Sequence, residues 1–181
     1  MRPPGHHAGH NTLGGFCYFN NIAIAISGAL KKVKKVAILD LDCHHGNGTQ
    51  DIFSGNNRVL FVSLHQSPLY PGTGLYPQGN CLNYPLEPGT GEKRYITVLK
   101  DGLEKIKRFE PEIIGISLGF DTYREDPLTN LSLETTTYRK IGVMIAELSI
   151  KNFAVFEGGY HPGIAECLYQ FILGWSGNEQ D

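Results

Sequence analysis

The residues most able to do chemistry are crowded into ILDLDCHHGNG, residues 38–48, where two aspartates and two histidines follow an apolar run of the kind that builds a buried strand. On an extended chain, side chains two apart point the same way. Asp40, Asp42 and His44 should therefore share one side, with Leu41, Cys43 and His45 on the other. An Asp-x-His pair can offer a carboxylate oxygen and an imidazole nitrogen to one ion, and Asp121, at the end of another apolar run, is a candidate third ligand. Two carboxylates and one imidazole with an open position suit a catalytic divalent metal, zinc first and Fe²⁺ second. A lone aspartate at a strand end is ordinarily a cap or turn partner. Asp-x-Asp-x-His-His-Gly, together with other polar strand ends, favours metal instead, because unpartnered buried carboxylates are costly.

A second cluster, RPPGHHAGH at residues 2–10, places His6 and His7 side by side in a Pro/Gly-rich segment. Such a pair could be a tag remnant, a metal-binding tract or a catalytic pair. A tag would be a longer uniform run, and this one continues into NTLGGFCYFNN, whose glycines permit close backbone approach to a ligand. Spacing alone does not decide between the remaining roles.

These residues need a scaffold. Four β-rich runs, 36–42, 58–64, 113–120 and 153–159, are apolar at nearly every position, as parallel strands covered by helices on both faces should be. Helical periodicity lies between them at about 20–32, 91–108, 134–150 and 162–175. This alternation predicts an α/β domain around a mostly parallel sheet. Residues 66–90, dense in Pro, Gly and Tyr, read as a long functional loop. Ligands of open α/β sheets sit beyond the carboxyl ends of the strands. The four runs end in Asp40, Asp42, His44 and His45; in Ser63 and His65; in Asp121; and in Glu157, Gly158, Gly159 and Tyr160. All four thus deliver polar groups to one edge.

A chain of 181 residues with 41% hydrophobic content suits a single domain with a substantial core. A formal charge of −2 shows no basic excess for tracking nucleic acid or anionic membranes, and KKVKK at 31–35 reads as the solvated end of a helix. Cys17, Cys43, Cys81 and Cys167 form no C-x-x-C pair, which removes a Cys-rich structural zinc site and suits reduced thiols in a cytoplasmic protein. IAIAISGAL at 22–30 is too short to span a bilayer.

RPPGHHAG, GGFCYFNNIAIA, DLDCHHGNGTQDIF, VSLHQSPLYPGTG, SLGFDTYREDPL and FEGGY occur in this order from residue 2 to residue 160. Together they resemble the zinc deacetylases of the histone deacetylase superfamily, in particular the class II-like branch that includes the acetylpolyamine amidohydrolases. The resemblance implies an arginase/deacetylase-like fold with Asp42, His44 and Asp121 as zinc ligands. It implies His7 as the general base, His6 as its electrostatic partner, and Asp40 and Asn47 as the groups orienting His6 and His7. Tyr160 would donate to the oxyanion. Phe16 and Tyr70, with the Gly15 carbonyl nearby, would wall a narrow substrate tunnel. A monovalent cation site for K⁺ would be built from Asp40, the backbone around Asp42 and His44, and Ser63 and Leu64. His45 is left without an assigned role and is expected to be structural.

Relatives in this family normally carry a substantial segment before RPPGHH, so the resemblance implies a catalytic domain shortened at its N-terminal side and a sheet incomplete there. An exposed edge should invite pairing with another copy of the chain. The implied activity is metal-dependent hydrolysis of the acetyl amide of acetyl-lysine or an acetylated polyamine. The alternatives are a catalytically impaired scaffold on the same fold, or a two-metal ureohydrolase of the arginase type. The last is disfavoured by Asn47 standing where another acidic ligand would be wanted.

Overall fold

The computed structural model describes residues 3–177. Five strands, β1 (Val36–Asp40), β2 (Val59–Gln66), β3 (Cys81–Leu86), β4 (Ile113–Leu118) and β5 (Lys151–Phe156), form one sheet in the order β3-β2-β1-β4-β5. Every pairing is parallel. The helices are α1 (Asn21–Ala29), α2 (Asn47–Phe53), α3 (Glu92–Phe109), α4 (Thr135–Ala146) and α5 (Ile164–Trp175).

The two-residue period of the strands sorts the core into two layers. Val36 and Ile38 of β1 and Val59 and Phe61 of β2 pack with Ile22, Ala23 and Ile26 of α1 and Phe53 of α2. Ala37 and Leu39, Val62 and Leu64, and Ile114 and Ile116 face the opposite way, toward Leu99, Leu103 and Ile106 of α3, Tyr138 and Ile141 of α4, and Phe171 of α5. Within α3 the buried residues Tyr95, Val98, Leu99, Leu103 and Ile106 recur at helical spacing, a stripe that docks the helix on the sheet. Each fully buried aliphatic side chain contributes about 1.5–3 kcal/mol, so these layers hold the central strands firmly and fix where their carboxyl ends point.

The structure departs from sequence expectation in three places. First, the long loop expected at 66–90 contains β3, which pairs with β2 and sets Pro85 opposite His65. Proline lacks an amide donor and is tolerated on an edge strand, and that same proline hides the strand from a reading based on apolar runs. Second, α2 begins directly behind the Asp/His motif; its seven residues are too few for a periodic signal and Gly46 gives it no side-chain cap. Third, β1 stops at Asp40, so Asp42 and His44 lie in a turn and not on a pleat. Asp42 N–H donates to Asp40 Oδ1 at 3.2 Å and His44 N–H to Asp42 Oδ1 at 2.9 Å. Short side chains closing their own turn thus replace strand alternation as the cause of the clustering.

All residues of β1 and β2 are buried, whereas Lys151 of β5 is exposed and Asn152 to Phe156 are half-buried. The sheet therefore ends at β5 with one open side. Lys31, Lys32, Lys34 and Lys35 are exposed. Among the described residues no helix is long and apolar enough to cross a membrane.

Candidate active site

Beyond the carboxyl ends of β1, β4 and β5 the chain brings Asp42, His44 and Asp121 together, with their ligand atoms all within 4.8 Å of one another. Among the described residues this is the one group of its kind. His44 Nδ1 lies 3.1 Å from Asp42 Oδ1 and 2.9 Å from Asp121 Oδ2. The carboxylates are held from behind by backbone: Cys43 N–H donates to Asp121 Oδ1 at 2.8 Å and Gly158 N–H to Asp42 Oδ2 at 2.6 Å. A Cβ on Gly158 would stand 2.5 Å from Asp121 Oδ2 and 2.7 Å from Asp42 Oδ2, so that position admits only glycine and keeps the space between the carboxylates clear. The donor set and this cradle fit a divalent cation of the zinc or Fe²⁺ type.

The electrostatics carry the same mark. Burial pushes the Asp121 carboxyl up to about 7, with the charge of Asp42 adding to it. Burial opposes charge on His44 too, but hydrogen bonds to Asp121 and Asp42 and their charges outweigh it and raise the imidazole to about 10. Burial disfavours the Asp42 carboxylate, yet the charge on His6 and the contacts with His44 hold it below the usual range. Two buried carboxylates this close need a cation between them, whether a proton on His44 or a metal.

His6 and His7 stand beside this group, their ring centroids 4.1 Å apart. His6 Nδ1 lies 3.0 Å from Asp40 Oδ2, and His7 Nδ1 2.7 Å from Asn47 Oδ1. Burial works against a charged His6, but Asp40 and Asp42 overcome it, with help from Glu157, and its pKa is raised well above the ordinary value. His7 goes the other way: burial, then the charge on His6, lower it to about 3. Because the Asn47 carbonyl can only accept, His7 carries its proton on Nδ1 and leaves Nε2 as a lone-pair base.

The segment carrying this pair is anchored by long-range bonds. Glu157, at the end of β5, accepts from Gly5 N–H at 2.6 Å, His6 N–H at 3.1 Å and Ser117 Oγ–H at 3.0 Å. Asn20 caps α1 through Ala23 N–H and donates to the Ala8 carbonyl and Thr49 Oγ1. Glu157 is visible in the sequence as a polar strand end, but nothing local shows that it grips the chain 151 positions away.

A cavity of about 410 Å³ opens above the group, with His7, His44, Phe16, Tyr70 and Tyr160 in its lining. Tyr70 packs edge-on to His7, centroids 5.1 Å apart, and Phe16 to Tyr160 at 6.0 Å. Gly15 has φ +53°, and a Cβ there would collide with the His7 ring, so the loop reaches Phe16 by passing its backbone against the imidazole. Asp126 Oδ2 accepts from Tyr160 N–H at 2.8 Å. Asp126, Leu69 and Leu128 were not singled out from the sequence, although Asp126 and Leu128 lie within the SLGFDTYREDPL stretch. Asp40 and Ser63 are register partners on β1 and β2, both fully buried. His45 points away from the cavity.

Residues 1–174 match the family profile described as Histone deacetylase domain. The chain is 45% identical over 175 residues to a probable deacetylase of Archaeoglobus fulgidus, covering 88% of this chain and 48% of that protein. It is 43% identical over 171 residues to acetylpolyamine amidohydrolase 1 of Pseudomonas aeruginosa, covering 88% and 49%. The crystal structure of an acetylpolyamine aminohydrolase from Burkholderia pseudomallei superposes with a TM-score of 0.93 at 37% identity, covering 97% of this chain and 54% of that one. The HDA15 HD domain does so at 0.91 and 37%, covering 100% and 56%. The chain spans about half the length of the curated relatives it matches.

Proposed function

Because the chain belongs to the histone deacetylase family, we propose that it works as a zinc-dependent amidohydrolase removing acetyl groups from acetyl-lysine or an acetylated polyamine. The observation that carries this reading is the neutral His7 standing beside the Asp42–His44–Asp121 group at the floor of an aromatic-walled cavity. In this reading those three residues hold the metal, which when bound supplies Lewis-acid polarisation of the amide carbonyl and acidifies a water. Fe²⁺ could serve the same purpose.

The chain's own residues do the rest. His7 Nε2 takes the proton from the attacking water and returns it to the departing amine nitrogen. His6, kept cationic by Asp40, holds His7 neutral until that proton arrives and contributes positive charge to the site. Asn47 fixes the His7 tautomer. Tyr160 donates its hydroxyl to the oxyanion as the carbonyl becomes tetrahedral. Phe16 and Tyr70 exclude water along a methylene stem without competing for its amide, with the Gly15 carbonyl at the same rim. Asp40 and Ser63, with the backbone about Asp42, His44 and Leu64, are the oxygen donors assigned to K⁺.

A reducing cytoplasm suits four cysteines that are all buried and unbridged. The open side of β5 is where a second copy would pair. Sedimentation as a folded monomer at high concentration would remove that part of the proposal.

Turnover of a fluorogenic acetyl-lysine peptide and of acetylated polyamines by zinc-loaded protein, blocked by a hydroxamate, is the direct test. A folded, metal-loaded protein that turns over neither would point to the alternative, a binding module on the same fold. Two catalytic ions per chain would revive the ureohydrolase reading.

The site also makes a pH-dependent prediction. With His44 raised to about 10 and Asp121 to about 7, the metal-free group holds a proton at neutral pH that a metal must displace. Zinc uptake at pH 7 should release about one proton per site, and apparent affinity should strengthen as pH rises and weaken as it falls. Titration calorimetry in buffers of different ionisation enthalpy measures this; proton-neutral binding would contradict the ligand assignment.

A further inference from the structure

His45 is the member of the 38–48 motif to which the proposed chemistry gives no task, yet it is almost completely buried. It enters a second polar cluster behind the cavity wall. Its Nε2 lies 3.0 Å from Gln50 Oε1 and its Nδ1 2.7 Å from Thr73 Oγ1. The ring of His65, from β2, packs against it at 4.7 Å; His65 Nδ1 lies 2.9 Å from Ser63 Oγ and Nε2 3.1 Å from the Gly74 carbonyl. A carbonyl can only accept, so both imidazoles carry their proton on Nε2. Their Nδ1 atoms then accept from Thr73 Oγ–H and Ser63 Oγ–H. The pair is neutral and fully engaged.

What this pair touches is the 67–78 segment. Thr73 is bonded by His45, the Gly74 carbonyl by His65, and the Tyr76 carbonyl by Asn83 Nδ2 at 3.0 Å. Asn83 Nδ2 also donates to Gln50 Oε1 at 2.9 Å, joining β3 to the acceptor that His45 uses. Gly74, at φ +76°, lies flat on both rings: a Cβ there would stand 2.6 Å from His45 Cδ2 and 2.7 Å from His65 Nε2. Three residues before Thr73 comes Tyr70, half exposed, its ring against His7 and His44. A Pro/Gly-rich segment has little regular structure to hold such a side chain, so these bonds are what fix it.

We infer that His45 and His65 are a positioning pair that fastens the 67–78 segment to the sheet and thereby sets where Tyr70 stands in the substrate tunnel. The pair thus governs how tightly the tunnel grips the chain behind the acyl group. The tunnel part rests on the deacetylase reading; the fastening does not.

The test compares the wild-type chain with His45→Ala and with Thr73→Val, the second removing the same bond from the loop side and leaving the metal motif intact. Zinc stoichiometry should be unchanged. Amide hydrogen exchange across 67–78 should quicken by about 10-fold, the scale expected for losing one buried hydrogen bond. N-hydroxyoctanamide, whose chain lies along the tunnel, should bind about 10-fold more weakly, and acetohydroxamate, which reaches only the metal, should bind as before. A role for His45 in merely shaping the metal site would weaken both hydroxamates together. That result, or unaltered exchange in 67–78 in both variants, overturns the inference. If His45→Ala fails to fold, Thr73→Val decides. Wild-type protein binding neither hydroxamate would sink the deacetylase reading and leave the exchange comparison to settle the fastening.

Discussion

Asp121→Ala is expected to abolish stoichiometric zinc binding and, with it, turnover. Asp121 supplies one of the two carboxylates beside His44, and it is fully buried, so no solvent-exposed group can move in to replace it. Alanine also strips the Cys43 N–H of its acceptor, which by itself costs about 1–3 kcal/mol. Asp121→Asn separates the two effects, because an amide oxygen can still receive the Cys43 N–H while the charge is gone. The metal-free Asn variant should be no less stable than the parent, since burial and the neighbouring Asp42 make a charge on Asp121 unfavourable. The thermal stabilisation that zinc gives the parent should vanish in both variants. Metal analysis after dialysis, with melting curves with and without zinc, measures each part. A variant retaining one zinc per chain would show that the ligand set is different.

Tyr160→Phe is expected to leave metal content and fold intact while lowering kcat by about 10²–10³-fold, the scale of losing one oxyanion donor. The substitution is clean for structural reasons. Asp126 holds residue 160 by its backbone N–H, and the packing on Phe16 involves the ring, so a phenylalanine should stand where the tyrosine stood. Substrate binding in the ground state should change little, placing the loss in kcat more than in KM. Unchanged kcat in a zinc-loaded variant would remove Tyr160 from the chemistry.

The elements and residues that sequence made legible are those governed by local periodicity. Four strands are apolar throughout because helices cover both faces of a parallel sheet, and α3 shows its buried stripe at helical spacing, so these could be read from the chain alone. The same holds for polar strand ends such as Asp40, Asp121 and Glu157, and for the motifs that resembled a zinc deacetylase. β3 escaped notice because an edge strand may carry Asn83 and Pro85, and α2 because seven residues give no period.

Long-range hydrogen bonding was decided only in three dimensions. Asp42 and His44 could be named as a pair from their spacing, but they meet through a side-chain-closed turn after β1 has ended, not through strand alternation. Which carboxylate faces which histidine, 34 positions away for Asp40 and His6, depends on the stacking of β1 against the N-terminal segment. The grip of Glu157 on Gly5 and His6, the hold of Asp126 on Tyr160, and the engagement of His45 with Thr73 have the same origin. Periodicity records which face of an element is buried; the partner of a buried polar group is set by whatever packing brings within about 3 Å, and no local pattern encodes that distance.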